Sequence, residues 1–233
     1  MKRRKDYGFT LAEILITLGI IGVVAAMTIP TLIHRIQAIK LRSQFLKSYS
    51  TLKQISKLMQ ADEITGDPNE YPPLSYYSFH YTFRQYLSGA TNCGLSGGMS
   101  CFGKNLCTSY KRLGGTQSGG VTLRPGQEGT FILPDGSIIF ITNAYPVGTP
   151  IQFTVDINGY KTPPNAAGYD LFWFQLMDNA EILPMGAPNT LYNDKEEYCN
   201  PKTNKAYSRN GISCAYEAAK DPDYFKNLPW KFQ

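Results

Sequence analysis

One acid stands inside an oil-like run. Residues Phe9–Ile29 read FTLAEILITLGIIGVVAAMTI, and Glu13 is the one charged side chain among them. A carboxylate there is costly unless something answers it, and an intramembrane acid marks a functional site by default. No basic residue lies within one helical turn of Glu13, so the pattern calls for a positive group from another chain. Four positions earlier stands Phe9, preceded by Gly8. Glycine lets the backbone enter a protease cleft extended. A cut after Gly8 would expose an α-amine on Phe9, which is a cation of the kind that Glu13 lacks. A buried polar pair of this sort is best suited to fixing register between chains.

Other residues offer weaker chemistry. Asp156, Asn158 and Asp170 could place oxygens around calcium, a hard cation. The same residues could equally bond their own backbone in a turn, and the pattern of an EF-hand loop is missing. Cys93, Cys101 and Cys107 fall in a Gly/Ser-rich stretch, while Cys199 and Cys214 lie near the end of the sequence. None has the C-x-x-C spacing of a zinc or redox site, and the distribution suits an oxidising compartment. The spacing does not say which two of the first three would pair. Gly94-Leu95-Ser96-Gly97-Gly98 spells G-x-S-x-G, but neither a preceding strand nor a following helix is legible. Gly98 to Lys104 spells G-x-x-x-x-G-K with Asn105 where a magnesium-binding Ser or Thr would stand. With two histidines, His34 and His80, and carboxylates scattered without an acid–base pair, the chain reads as no enzyme and as needing no cofactor beyond a possible calcium ion.

These residues need elements to position them. The chain has 233 residues and a formal charge of +5, which suits one domain with an appendage. Residues 1–8 hold four of the basic side chains and one acid, so three net charges leave with them and +2 remains. That balance does not point to a nucleic-acid partner. Residues 9–33 form an apolar helical span, about 30 Å for its first 21 residues and so matched to a bilayer. Residues 34–60 continue the helix with an apolar face of Ile36, Leu41, Phe45, Tyr49, Leu52, Ile55 and Met59. Gly22 and Pro30 should soften it. Its other side holds Arg35, Lys40, Arg42, Lys47, Lys53 and Lys57 without an acid, as for a face near anionic headgroups. Residues 61–233 form the globular part. Ser75 to Leu87 reads as partly helical and 88–120 as loop. Pro134-Asp135-Gly136 turns a hairpin within Thr130–Thr142, and further strands follow at Ile151–Val155, Leu171–Met177 and Glu181–Leu183. Four or five antiparallel strands packed on the helix make an α+β fold.

The stretch Lys5-Asp6-Tyr7-Gly8-Phe9-Thr10-Leu11-Ala12-Glu13 resembles the prepilin signal of type IV pilins and type II secretion pseudopilins. There a short basic leader ends in Gly, Phe follows, and Glu stands four positions on. The resemblance implies a leader over 1–8, cleavage between Gly8 and Phe9 by prepilin peptidase, and N-methylation of Phe9. It further implies pairing of Phe9 with Glu13 of a neighbouring subunit. The implied fold is pilin-like, with a C-terminal loop closed by a Cys199–Cys214 disulfide. The implied partners are other pilin or pseudopilin subunits, the peptidase, an inner-membrane assembly platform and membrane lipid. The chain would sit in the inner membrane with its C-terminal domain outside the cytoplasm, then enter a filament in the periplasm or at the cell surface. Residues 155–172 also resemble a loop-strand pattern of some pseudopilins, whose major members use a calcium loop. Two other readings compete: a plain signal anchor carrying a binding or enzymatic domain that never polymerises, and a secretory signal peptide cut near Val24-Ala25-Ala26.

Overall fold

The computed structural model describes residues 10–71, 78–106, 109–114, 128–142, 148–202 and 209–229. Gly8, Phe9, Cys107 and Trp230 lie outside them. Helix α1 runs unbroken over Leu11–Ala61 and passes through Pro30. Its length of about 77 Å divides by environment rather than by hydrogen bonding. Up to Gln37 no side chain is buried. From Ala38 onward Leu41, Phe45, Leu52, Ile55 and Met59 are buried at helical spacing, so the docked part of the helix begins there.

That stripe lies on a six-stranded antiparallel sheet whose spatial order follows the chain: β1 (Thr91–Asn92), β2 (Gly129–Ile132), β3 (Ile138–Thr142), β4 (Gln152–Asp156), β5 (Leu171–Leu176) and β6 (Ile182–Pro184). Side chains alternate across a sheet, and the register sorts them into two cores. Ile139, Ile141, Phe153, Val155, Phe172 and Phe174 meet the helix. The Phe45 ring packs edge-on against Phe172 at 4.7 Å, and Tyr49 stacks on Phe174 at 5.6 Å. On the other face Ile138, Phe140, Leu171 and Trp173 pack with Leu106, Tyr110, Met185 and Ile212. This second layer is why all of β5, LFWFQL, is buried: a strand covered on both faces reads as an unbroken apolar run.

The hairpin at 134–136 forms as expected. Gly136 takes φ +86°, a conformation that glycine adopts without a Cβ penalty. Asp135 accepts from Ser137 and pairs with Lys47 at 2.8 Å, tying the turn to α1. Farther along the helix, Ser56 donates to the Ala180 carbonyl at 2.9 Å and accepts from the Ile182 amide at 3.3 Å. Helix α2 (Ser78–Arg84) lies within the stretch 75–87 expected to be partly helical, of which 75–77 fall outside the described residues.

The structure exceeds the expectation in three places. The sheet has six strands, not four or five, because β1 pairs with Phe131 and Ile132 of β2 inside the stretch expected to be loop. The same stretch contains the one-turn helix α3 (Met99–Phe102), anchored by a Cys93–Cys101 disulfide. Two further helices, α4 (Lys195–Tyr198) and α5 (Cys214–Lys220), are joined at their ends by Cys199–Cys214. That bridge is the one implied by resemblance. Its separation of 15 residues corresponds to roughly 3 kcal/mol on the chain-entropy account.

Candidate functional site

Thr10 is the N-cap of α1, with extended backbone angles of −78° and 151°. Its hydroxyl oxygen accepts from the Glu13 amide at 3.2 Å. In return, Glu13 Oε2 accepts from the Thr10 amide at 2.8 Å and from the Thr10 hydroxyl at 2.7 Å. This reciprocal arrangement is a capping box, which satisfies amides that a helix start leaves without partners. The carboxylate therefore has donors within its own chain. Sequence reasoning passed over Thr10, although Thr-x-x-Glu ahead of an apolar run is the readable signature.

The box neutralises no charge. Both contacts go to Oε2, and among the described residues no cation approaches Glu13. The surrounding side chains are bare: Leu11, Leu15, Ile16, Leu18, Ile20 and Ile21 are all exposed. Among the described residues α1 is the one helix long and apolar enough to cross a membrane, and none of its most apolar window is buried. The structure thus places a charged, locally capped acid at the start of a projecting apolar rod. Gly8 and Phe9, the expected processing site, lie just outside the described residues.

Asp156, Asn158 and Asp170 do come together, at the end of β4 and the start of β5. Asp156 Oδ1 accepts from the Asn158 and Gly159 amides at 3.2 and 2.8 Å, and Oδ2 from the Tyr110 hydroxyl at 2.8 Å. Asp170 accepts from the Ala166 and Asn165 amides at 2.7 and 2.8 Å, and also from the Asn158 side chain. Burial raises the pKa of both carboxyls above the ordinary carboxylate range. The neighbouring Asp156 raises that of Asp170 further, while the hydrogen bonds pull the other way. All four carboxylate oxygens already face donors, and Asn158 turns its NH₂ rather than its oxygen toward Asp170. As arranged, these bonds lock the 157–170 loop, as Asp and Asn do in turns, while the buried side-chain oxygens of Asn158 and Asn165 have no hydrogen-bond partner. Among the described residues no group of three or more His, Cys, Asp or Glu is placed to hold a metal.

Contrary to the sequence reading, Ser96 does lie between a strand, β1, and a helix, α3. It is exposed at φ +58° and makes no hydrogen bond to either histidine. His80 is buried, stacks on Phe131 at 4.7 Å and contacts Asn92. Burial, with Arg84 nearby, lowers its pKa below the usual histidine value. Lys104 donates to the Tyr160 hydroxyl at 2.9 Å instead of facing an empty loop.

Residues 3–29 match the family model described as the prokaryotic N-terminal methylation motif, the prepilin-type signal of type IV pilins and pseudopilins. The match takes in Gly8, Phe9, the capping box and the apolar run as far as Ile29. Comparison with curated proteins and with solved structures gave no match.

Proposed function

We propose that the chain is a precursor of a structural subunit of a type IV pilus or a type II secretion pseudopilus. It is held in the inner membrane by the first half of α1, with its α+β domain outside the cytoplasm. Prepilin peptidase cuts after Gly8 and methylates the new amine of Phe9. The trimmed chain then polymerises through α1, and Glu13 of one subunit answers Phe9 of the next.

One observation carries this: a methylation motif over residues 3–29 continues into a helix whose first half stays bare while its second half docks on a folded domain. A rod with that split has two apolar solvents open to it, lipid and the rods of other subunits. A plain anchor needs only the first, and although the capping box with Thr10 would serve it too, it leaves the charge at position 13 without a counter-ion. The cysteine bridges and the domain beyond the span fit an oxidising space outside the membrane.

N-terminal sequencing and intact mass of the mature protein test the proposal. The expected result is a chain starting at Phe9 and carrying one added methyl group. A chain that keeps Met1, or one that starts near Met27, would overturn it.

A further inference from the structure

At the lower edge of the docked part of α1, where Ala38 is already buried, lies a face that neither the domain nor a bilayer covers. Leu32, Ile33, Ile36 and Ile39 are 58%, 49%, 56% and 62% exposed. Arg35 and Lys40, on either side of Ile36 and Ile39, are exposed, and among the described residues neither has an ion pair. From Leu11 to Ile39 the apolar face is about 42 Å long, against about 30 Å of hydrocarbon. A tilt of ~20° takes up only a few ångströms of the excess. With the rod's first turn at one side of the bilayer, Ile36 and Ile39 stand beyond the lipid tails. A headgroup layer would suit Arg35 and Lys40 but would leave those isoleucines wet.

The opposite end of the docked helix has the complementary character. Asp62 and Glu63 follow α1, Glu70 ends the 3-10 turn Pro68–Glu70, and Asp178 and Glu181 belong to the β5–β6 turn. These five are exposed, and the Gly66 amide joins the two segments by donating to the Asp178 carbonyl at 2.9 Å. The last turn of α1 holds no basic residue, so the negative end of the helix dipole adds to the acid charge. Lys53 and Lys57 line a groove with Glu181 on one side of this apex, and among the described residues neither forms an ion pair with the five acids. At the lower rim Arg42 donates to the backbone carbonyl of Asp221, whose carboxylate accepts from the Asp223 amide at 2.8 Å, and Lys226 pairs with Asp223; Arg35 and Lys40 lie below these acids on α1.

We infer that the collar at residues 32–40 docks on the acidic apex of a second copy of this chain, displaced by about 40 Å along the helix axis. The inference rests on the polymerisation proposed above and adds to it a specific contact between the domain of one copy and the rod of another. Different surfaces meet in this contact, so it is heterologous and builds an open stack rather than a closed dimer. The apex of the second copy covers the isoleucines as it meets the charges, which anionic headgroups would not do.

Carbodiimide coupling of the full chain, followed by peptide mass mapping, tests this. The reagent joins an amine to a carboxylate at contact distance. Lys40 and Glu63 of one chain are about 35 Å apart on a single helix, so a link between them can only join two copies. The Lys47–Asp135 pair at 2.8 Å serves as the internal control. The expected result is coupling of Lys40 to Glu63, Glu70, Asp178 or Glu181 in assembled material. Arg35→Glu should lower that yield at least fivefold, and Glu63→Arg in the same chain should restore it through the remaining acids. Filaments that start at Phe9 and give the control link but no Lys40–apex link overturn this contact and leave polymerisation standing. If the link is absent and Arg35→Glu abolishes co-sedimentation with anionic vesicles, the collar belongs to the membrane instead. A chain that starts at Phe9 and still remains monomeric overturns both proposals.

Discussion

Glu13 holds two roles in one side chain. Its Oε2 closes the capping box with Thr10, and its charge has no counter-ion among the described residues. Two substitutions separate the roles. Glu13→Gln keeps an acceptor for Thr10, since Gln serves in a capping box as Glu does, but removes the charge. Glu13→Ala removes both. Both variants should insert in the membrane and both should be lost from fibres, while only Glu13→Ala should speed hydrogen exchange at the Thr10 amide, which loses its acceptor. Full incorporation of Glu13→Gln would mean that the neighbour does not read the charge. At this scale the acid was legible because a charge in an apolar run stands out. Its threonine partner was not noticed because an apolar-run reading gives a neutral hydroxyl no weight. Asp156, Asn158 and Asp170 were legible as a group. Their role was not, because ligand and turn geometry use the same residue types, and the donors from Tyr110, Asn165 and Ala166 come from segments that only folding brings near.

Between elements, the helix–sheet contact decides stability. Phe45 is fully buried and touches Phe172, Phe174 and Phe225. Phe45→Ala removes a ring from the middle of this cluster and should cost about 3–5 kcal/mol. In thermal unfolding of the full chain in detergent it should lower Tm sharply, whereas Leu46→Ala, one position on and exposed, should leave Tm nearly unchanged. Equal losses for the two would mean that the docked face is misplaced. The elements that the sequence announced share a physical trait: each contains its own signal. The 134–136 turn has Asp-Gly between apolar runs, β5 is an apolar run of strand length, and α1 repeats its stripe over many turns. Strand β1 and helices α3, α4 and α5 have no such signal. They are two to seven residues long, too short for a period to emerge, and disulfides and packing hold them in place.

The whole molecule should respond to pH through two groups of opposite sign. The acid pair Asp156 and Asp170 has pKa values raised by burial and proximity. Its contribution to stability is full below the ordinary Asp range and is lost as pH rises through the raised values. His80 has a lowered pKa, so its contribution is present above the ordinary histidine value and is lost as pH falls through the lowered one. The two oppose each other between neutral pH and pH 5. With His80→Gln, which leaves an acceptor for Asn92, the acid pair should dominate. Tm of the full chain should then rise by roughly 2–4 °C from pH 7 to 5, and adding Asp170→Asn should flatten that rise. A Tm that falls over the same range in His80→Gln would show that the pair does not bind protons on folding.

The order of the strands carries a consequence for how the domain comes to exist. Because the six strands pair in the order in which they are synthesised, each can zip onto its predecessor as it emerges on the far side of the bilayer. Sheets built from sequence-local pairings form quickly. The slow step is left to α1: Ser56 must meet Ala180 across a separation of 124 residues. Tethered in lipid from the start, the rod waits beside a growing sheet, and its aromatic face can close only once β5 and β6 have arrived. A chain stalled before Leu171 would therefore leave that face, Phe45 and Tyr49 included, open to proteolysis, and completion of the last two strands would shut it away.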